Sequence, residues 1–148
     1  STADILDAGT AIGRESGRSV RAEVCDITDR EAVRRVVGGL GPLDVLVNNA
    51  GLELVTPMLG GGDEVERTFV RIMDINVVGT YYVTREALPR MPAGGSIVLT
   101  SSVWGKTGAA DFAAYVTSKH ANIGFMRVLA KELGPRGIRV GSYQVSGW

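Results

Sequence analysis

Three side chains with complementary chemistry lie in the second half of the sequence: Ser102, Tyr115 and Lys119. A helix would place Tyr115 and Lys119 on one face, because they are four positions apart. A free tyrosine has a pKa of about 10, and a nearby ammonium would lower it by stabilising the phenolate. Such a tyrosine could exchange a proton with an alcohol or carbonyl oxygen that also accepts a hydrogen bond from Ser102. The Tyr-x-x-x-Lys pair alone is a weak signal, since tyrosine packs and lysine extends to solvent on many helices.

Alternating strand and helix patterns predict how these side chains meet. Short apolar runs predict strands at 20–25, 43–47, 96–100 and from 138 onward. Helical patterns cover 29–37, 64–91 and 112–133, the second in two pieces that meet near Asp74. Thr28 begins a capping-box pattern ahead of the first of these helices. Four strands separated by helices favour an α/β fold with one parallel sheet, whose ligands bind where strands such as the one before Ser102 end.

The composition excludes several classes of site and partner. The chain has 148 residues, 45% of them hydrophobic, with 16 basic and 16 acidic side chains. Zero net charge argues against nucleic acid or an anionic membrane as the main partner. One cysteine and one histidine predict no internal disulfide and no metal site. The apolar runs are far shorter than the roughly 20 residues of a membrane helix, and residues 1–7 lack a signal-peptide pattern. We therefore expect a single domain, 1–148, in the cytoplasm.

Five motifs occur in the order and spacing of a known family. They are Asp26 after the strand at 20–25, Asn48-Asn49-Ala50-Gly51, Asn76, Ser102, and the pair Tyr115 and Lys119. From about residue 22 to 140 the sequence thereby resembles the short-chain dehydrogenase/reductase family. The resemblance implies a Rossmann-like fold, namely a three-layer, doubly wound parallel sheet that binds a dinucleotide. It also implies a nicotinamide-dependent enzyme that interconverts a secondary alcohol and a ketone by hydride transfer.

The resemblance implies a role for each matched residue. Tyr115 would be the general acid/base, and Lys119 would bind the nicotinamide ribose and lower the pKa of Tyr115. Ser102 would polarise the substrate carbonyl, and Asn76 would hold a water molecule in a proton relay. The residues expected to contact the cofactor are Asp4, Asp26, Ile27, Asn49, Ala50, Gly51, Tyr115 and Lys119.

The preferred nicotinamide cofactor depends on one acidic residue near the start of the chain. In this family an acid at the end of the second strand hydrogen-bonds the ribose 2′-hydroxyl and repels a 2′-phosphate. Asp4 precedes Asp26 at the family's spacing, so we expect NAD in preference to NADP. For one of the two residues Asn48 and Asn49, the alternative to a cofactor contact is that the asparagine stabilises a turn.

The sequence departs from the family's pattern at both ends. The first strand and its Thr-Gly-x-x-x-Gly-x-Gly turn are missing, and we interpret Gly9, Gly13 and Gly17 as part of a helix and turn instead. The family's asparagine and Pro-Gly pair do not follow Val140, and its last strand is not seen. Without the first strand, the strand that ends at Asn48 would have an unpaired edge. We therefore interpret these residues as an incomplete dehydrogenase, either a fragment or a sequence from which segments are absent.

Other functions are left open by the missing glycine turn. A truncated, non-catalytic member of the family could bind a partner through the helices at 64–91 and 112–133, whereas the intact Ser102, Tyr115 and Lys119 favour an enzyme. An epimerase or dehydratase fits the context of Ser102 less well. The two helices also predict a homo-oligomer, a dimer or tetramer. The substrate does not follow from these residues, although Leu52, Glu53, Val103 and Trp104 could border it.

Overall fold

Three parallel strands form the sheet in this structure, a computed structural model that describes residues 2–145. The strands are β1 (Val45–Asn48), β2 (Ser96–Ser102) and β3 (Arg139–Val145). The helices are α1 (Thr2–Ser16), α2 (Arg30–Gly38), α3 (Gly62–Met73), α4 (Thr80–Ala87) and α5 (Ala113–Leu133). Shorter turns are π-helical at Asp74–Gly79 and 3₁₀ at Leu88–Arg90, Val103–Gly105 and Gly134–Arg136. The expected α/β fold with a parallel sheet is confirmed.

The sheet order β1-β2-β3 places β2 in the centre. Val45 lies opposite Ser96, and Ser96 lies opposite Arg139 on the other side. Parallel neighbours need a crossover connection, which α3 and α4 supply between β1 and β2 and α5 supplies between β2 and β3. Both connections step across the sheet in the same direction, and such crossovers are right-handed. The connecting helices therefore cover the same face of the sheet.

The core lies between that face and α5. Alternate residues of β2 point into it, and Ile97 and Leu99 are each 1% exposed. They pack with buried side chains of neighbouring elements, which are Met91, Leu129, Leu133 and Ile138. Full burial of each such side chain contributes about 1.5–3 kcal/mol. This packing fixes α5, and with it Tyr115 and Lys119, against the carboxyl half of β2.

The prediction of a strand at 20–25, and with it the count of four strands, is wrong. Residues 19–26 have no regular secondary structure, and Cys25 is half-buried in this segment rather than packed in a strand. A strand is maintained by hydrogen bonds to a neighbour, and within residues 2–145 none is paired with this segment. Among residues 2–145, β1 pairs with β2 alone, so its other edge is unpaired, as expected. On β1, Val45 and Val47 are more than half exposed.

The helix boundaries agree with the sequence patterns in most places. The region that contains Gly9, Gly13 and Gly17 is a helix that ends in a turn, with a positive φ of 64° at Gly17, as expected. The long helical region divides at Asp74 into α3 and the π-helical turn, also as expected. The capping residue of α2 is Asp29 rather than Thr28, because its carboxylate accepts hydrogen bonds from the first-turn amides.

Two kinds of feature are absent from residues 2–145. No helix there has both the length and the apolar character needed to cross a membrane. Nor do three or more His, Cys, Asp or Glu side chains within these residues come together in a group that could hold a metal ion.

Candidate active site

Tyr115 and Lys119 lie one turn apart on the buried face of α5, with 7% and 4% of their surface exposed. The Lys119 Nζ donates a hydrogen bond of 2.9 Å to the Thr100 carbonyl oxygen, near the carboxyl end of β2. It also lies 5.2 Å from the centre of the Tyr115 ring. Strand and helix together therefore hold a buried ammonium beside the tyrosine.

Ser102 is the last residue of β2 and is 3% exposed. Its Oγ accepts a hydrogen bond of 3.2 Å from the Trp104 amide and so caps the 3₁₀ turn that follows. This turn packs closely on α5, since a Cβ at Gly105 would be 2.8 Å from the Ser101 Oγ and 3.0 Å from the Lys119 carbonyl oxygen. Glycine at this position allows the end of β2 to approach the helix that carries Tyr115.

Aromatic packing orients Tyr115. The Trp104 ring lies 5.0 Å from the Phe112 ring and meets the Tyr115 ring edge-on at 5.9 Å. Such contacts contribute about 0.5–1.5 kcal/mol beyond the area that they bury. Trp104 therefore packs within the loop. On the next turn of α5, the exposed His120 contacts the Val116 carbonyl oxygen through its Nδ1, at 2.9 Å.

The electrostatics of the tyrosine–lysine pair differ from the expectation. Burial raises the pKa of Tyr115, hydrogen bonding to Ser102 opposes this, and the charge and hydrogen bonding of Glu53 add to the rise. Burial lowers the pKa of Lys119, against the effect of the Glu53 charge. The pKa of Tyr115 is thus raised overall, although the Lys119 ammonium lies over its ring, and a lowering contribution from Lys119 stays a prediction.

Asn76 lies in the π-helical turn, 1% exposed, and uses its side chain to join two elements. Its Oδ1 accepts a hydrogen bond of 2.7 Å from the Leu52 amide, and its Nδ2 donates to the Leu52 carbonyl at 3.0 Å. The same Nδ2 donates to the Ser118 Oγ at 2.9 Å. The side-chain amide is thus engaged by the loop after β1 and by α5, and it clamps them together.

A cleft of about 230 Å³ opens where β1 and β2 end. It is lined by Asn49, Gly51, Leu52, Glu53, Thr100, Tyr115, Lys119 and Val145. Gly51 leaves space beside the ammonium, since a Cβ there would be 3.6 Å from the Lys119 Nζ. The two asparagines of the motif differ, because Asn48 donates to Thr84 on α4 at 2.9 Å whereas the Asn49 Oδ1 accepts from Thr100 at 3.0 Å.

Ala50 and Ile27 line a smaller neighbouring cavity of about 120 Å³. Ile27 packs on the π-helical turn, where a Cβ at Gly79 would be 2.7 Å from its Cδ1. Because Gly79 has no side chain, the segment before α2 can pack closely against the π-helical turn. Ala50 and Ile27 therefore lie next to the cleft rather than in it.

Two other residues expected to contact the cofactor, Asp26 and Asp4, do not line this cleft. Asp26 lines an open cavity of about 660 Å³ beside α3. Its Oδ1 accepts hydrogen bonds from the Thr28 amide at 2.9 Å and hydroxyl at 2.8 Å, and these lower the pKa of Asp26. Asp4 is exposed and lies in the first turn of α1 rather than at the end of a strand.

The structure therefore brings Asn49, Gly51, Tyr115 and Lys119 to one cleft. Ser102 is not among the residues that line this cleft, and it lies at the end of β2, before the turn whose Trp104 packs on Tyr115. Sequence reasoning missed Thr100 as a residue of this cleft. The available signal was strand alternation, because Thr100 and Ser102 are two positions apart on β2.

The sequence and fold of this chain are similar to those of known proteins. Residues 2–147 match the family described as short chain dehydrogenase. The chain belongs to the short-chain dehydrogenase family. It is 39% identical over 148 residues to (-)-trans-carveol dehydrogenase of Rhodococcus erythropolis, a match that covers 95% of this chain and 53% of that enzyme. The chain thus spans about half the length of this relative.

Solved structures of the family share the fold. The crystal structure of BdcA in complex with NADPH has a TM-score of 0.80 at 37% identity, and the match covers 94% of this chain and 55% of that one. A short chain dehydrogenase from Shigella flexneri 2a in complex with NADP has a TM-score of 0.83 at 31% identity. That match covers 99% of this chain and 64% of the other.

Proposed function

We propose that the protein interconverts a ketone and a secondary alcohol with a nicotinamide cofactor, and that Tyr115 is its general acid/base. The observation that carries this proposal is the cleft at the carboxyl ends of β1 and β2, which Tyr115 and Lys119 line together. Membership of the short-chain dehydrogenase family supports an oxidoreductase of this kind.

Two polar side chains act at the substrate oxygen in this proposal, and a third lies beside the tyrosine. The Ser102 hydroxyl, beside Tyr115, donates a hydrogen bond to the carbonyl oxygen. As negative charge develops on that oxygen in the reducing direction, the Tyr115 hydroxyl donates its proton. A tyrosine with its ordinary pKa of about 10 is protonated at neutral pH, and burial raises the pKa of Tyr115 further, so the hydroxyl can donate a proton in reduction. Lys119 holds its ammonium beside the tyrosine through Thr100.

The residues of the cleft fit a nicotinamide nucleotide. Asn49–Gly51 follow β1 at the edge of the sheet where ligands of such folds bind. The Lys119 side chain lines the cleft next to Gly51, where its ammonium can donate hydrogen bonds to ribose hydroxyls. The bound nicotinamide supplies or accepts the hydride.

We propose NADP(H) as the cofactor, against the expectation of NAD. Two structural neighbours of this chain are in complex with NADPH and NADP. The expectation of NAD rested on Asp4 at the end of a strand, whereas Asp4 is in a helix. A titration of the full chain with NADPH and NADH, followed by the fluorescence of each, tests this preference. Tighter binding of NADH would reject it.

The catalytic assignment is tested with Tyr115→Phe in the full chain. We expect turnover of ketone to be nearly abolished while NADPH binding is retained, because the variant lacks the transferable proton. The matched control is Tyr81→Phe, which removes a hydroxyl from an exposed position on α4. Retained turnover in Tyr115→Phe would reject the assignment. Failure of the wild-type chain to bind either cofactor would favour the non-catalytic binding module.

We also propose a homo-oligomer, a dimer or tetramer, through α3–α4 and α5. Two apolar side chains on these helices support this, since Val70 is 56% exposed and Val128 is 50% exposed. Light scattering coupled to gel filtration measures the state, and we expect Val70→Lys and Val128→Lys to reduce the mass. A monomeric wild-type protein would contradict the proposal. A small-molecule substrate and a cytoplasmic location stay predictions.

A further inference from the structure

We propose that Thr100 is a positioning residue of the cofactor site, where its carbonyl oxygen holds the Lys119 ammonium and its hydroxyl sets the direction of the Asn49 amide donor. The proposal rests on the nicotinamide cofactor of the proposed function and is independent of the hydride-transfer reaction. Thr100, Asn49 and Lys119 line the same cleft.

The register of the sheet places Thr100 beside Asn49. In the parallel pairing of β1 and β2, Asn48 lies opposite Leu99, and the next residue along each chain is Asn49 and Thr100. The Thr100 Oγ1 donates a hydrogen bond of 3.0 Å to the Asn49 Oδ1. Because β1 ends at Asn48, this side-chain bond continues the contact between the two segments beyond the end of the strand.

The bond from Thr100 determines which end of the Asn49 side chain is available to a ligand. A carboxamide has an acceptor oxygen at one end and N–H donors at the other. Because the Oδ1 receives the Thr100 hydroxyl, the Nδ2 keeps its donors for another partner. Asn49 is exposed and lines the cleft, so these donors are accessible to the ribose and phosphate oxygens of a bound nucleotide.

The main chain of Thr100 positions a second donor. Its carbonyl oxygen accepts a hydrogen bond of 2.9 Å from the Lys119 Nζ, whose other hydrogens remain for a ligand. One residue of β2 therefore holds two donors at the same cleft, one from the segment after β1 and one from α5. Donors that are fixed before the ligand arrives lose less conformational entropy on binding, so this arrangement strengthens binding of the nucleotide.

The test is a fluorescence titration of the full chain with NADPH and with NADH, without ketone, in which the variants are compared for the tighter of the two. Thr100→Val has nearly the shape of threonine, lacks the hydroxyl and keeps the carbonyl that binds Lys119. We expect it to bind the nucleotide about two- to tenfold more weakly, the effect of one ordinary hydrogen bond. Thr100→Ser keeps the hydroxyl and should bind like the wild-type chain.

The matched control is Thr10→Val, which removes a threonine hydroxyl that donates to the Leu6 carbonyl oxygen within α1. It should leave nucleotide binding unchanged. Equal affinity of Thr100→Val and the wild-type chain would overturn the proposal, and so would a Thr100→Ser variant that binds as weakly as Thr100→Val.

A double-mutant cycle separates positioning from a direct contact between Thr100 and the nucleotide. Asn49→Ala removes the amide that the Thr100 hydroxyl directs, so adding Thr100→Val to it should weaken binding no further. If Thr100→Val has its full effect in the Asn49→Ala background, the hydroxyl acts without Asn49 and the positioning role is rejected.

Turnover distinguishes this proposal from the proposed function. In an active chain, Thr100→Val should raise the KM for the nucleotide and leave kcat close to the wild-type value, because Tyr115 and the contact of Lys119 are retained. A wild-type chain that binds the nucleotide but reduces no ketone would reject the reaction, and the affinities of the Thr100 variants would still decide the role of Thr100. A wild-type chain that binds neither NADPH nor NADH would overturn this proposal together with the proposed cofactor.

Discussion

Replacement of Asn76 by alanine distinguishes a clamp from a water-holding relay residue. The substitution removes three hydrogen bonds at a position that is 1% exposed, two to Leu52 and one to Ser118. Each bond contributes about 1 kcal/mol net, and the partly buried Leu52 amide, left without a partner, costs up to about 1–3 kcal/mol. We therefore expect Asn76→Ala to lower the free energy of unfolding by about 2–4 kcal/mol.

The assay is equilibrium unfolding of the full chain in urea, with the transition midpoint and slope measured for each variant. Ser118→Ala removes one of the three bonds, so its coupling with Asn76→Ala should be about 0.5–1.5 kcal/mol in a double-mutant cycle. The matched control is Asn122→Leu, which replaces a second buried asparagine that lies on α5. The Asn122 Oδ1 has no hydrogen-bond partner within residues 2–145, so this replacement should be neutral or stabilising.

A loss below about 0.5 kcal/mol in Asn76→Ala, smaller than one ordinary hydrogen bond, would refute the clamp. Turnover that falls in Asn76→Ala at unchanged stability would point instead to the water-holding role implied by the family resemblance. The clamp predicts that stability and activity fall together, because the loop it fixes carries the cleft residues Gly51 and Glu53.

Three further substitutions have defined outcomes. Gly105→Ala should cost about 1–3 kcal/mol in urea unfolding, because its Cβ would be 2.9 Å from the Ile123 Cδ1 and must displace the turn; an unchanged midpoint would contradict this packing. Asp29→Ala should cost about 0.5–2 kcal/mol through the lost cap of α2, measured in the same assay; no loss would show that the cap is dispensable. The lowered pKa of Asp26 stabilises the fold above the usual value of about 3.9, and this stability is lost as pH falls through the folded-state pKa. We therefore measure the urea midpoint as a function of pH and expect it to fall less steeply at acidic pH in Asp26→Asn than in the wild-type chain. The same fall in both proteins would show that the hydrogen bonds from Thr28 to Asp26 do not stabilise the fold.

Local patterns determined most of the elements that carry the site. Apolar runs located all three strands, and a helical pattern that ends before Gly134 and Pro135 located α5. The same argument failed at 20–25, where alternation is present but no strand forms. An alternating pattern describes how a strand would present its faces, whereas its existence depends on a neighbour to bond with.

The sequence by itself determined which residue types could act: a tyrosine and a lysine one helical turn apart, a serine at a strand end and a glycine beside them. The tertiary structure decided their electrostatics. Burial and Glu53 raise the pKa of Tyr115, although the sequence predicts that Lys119 would lower it. The structure also assigned the side chain of Asn76 to the Leu52 backbone and Ser118. These outcomes depend on desolvation and on contacts between residues distant in sequence, and spacing along the chain encodes neither.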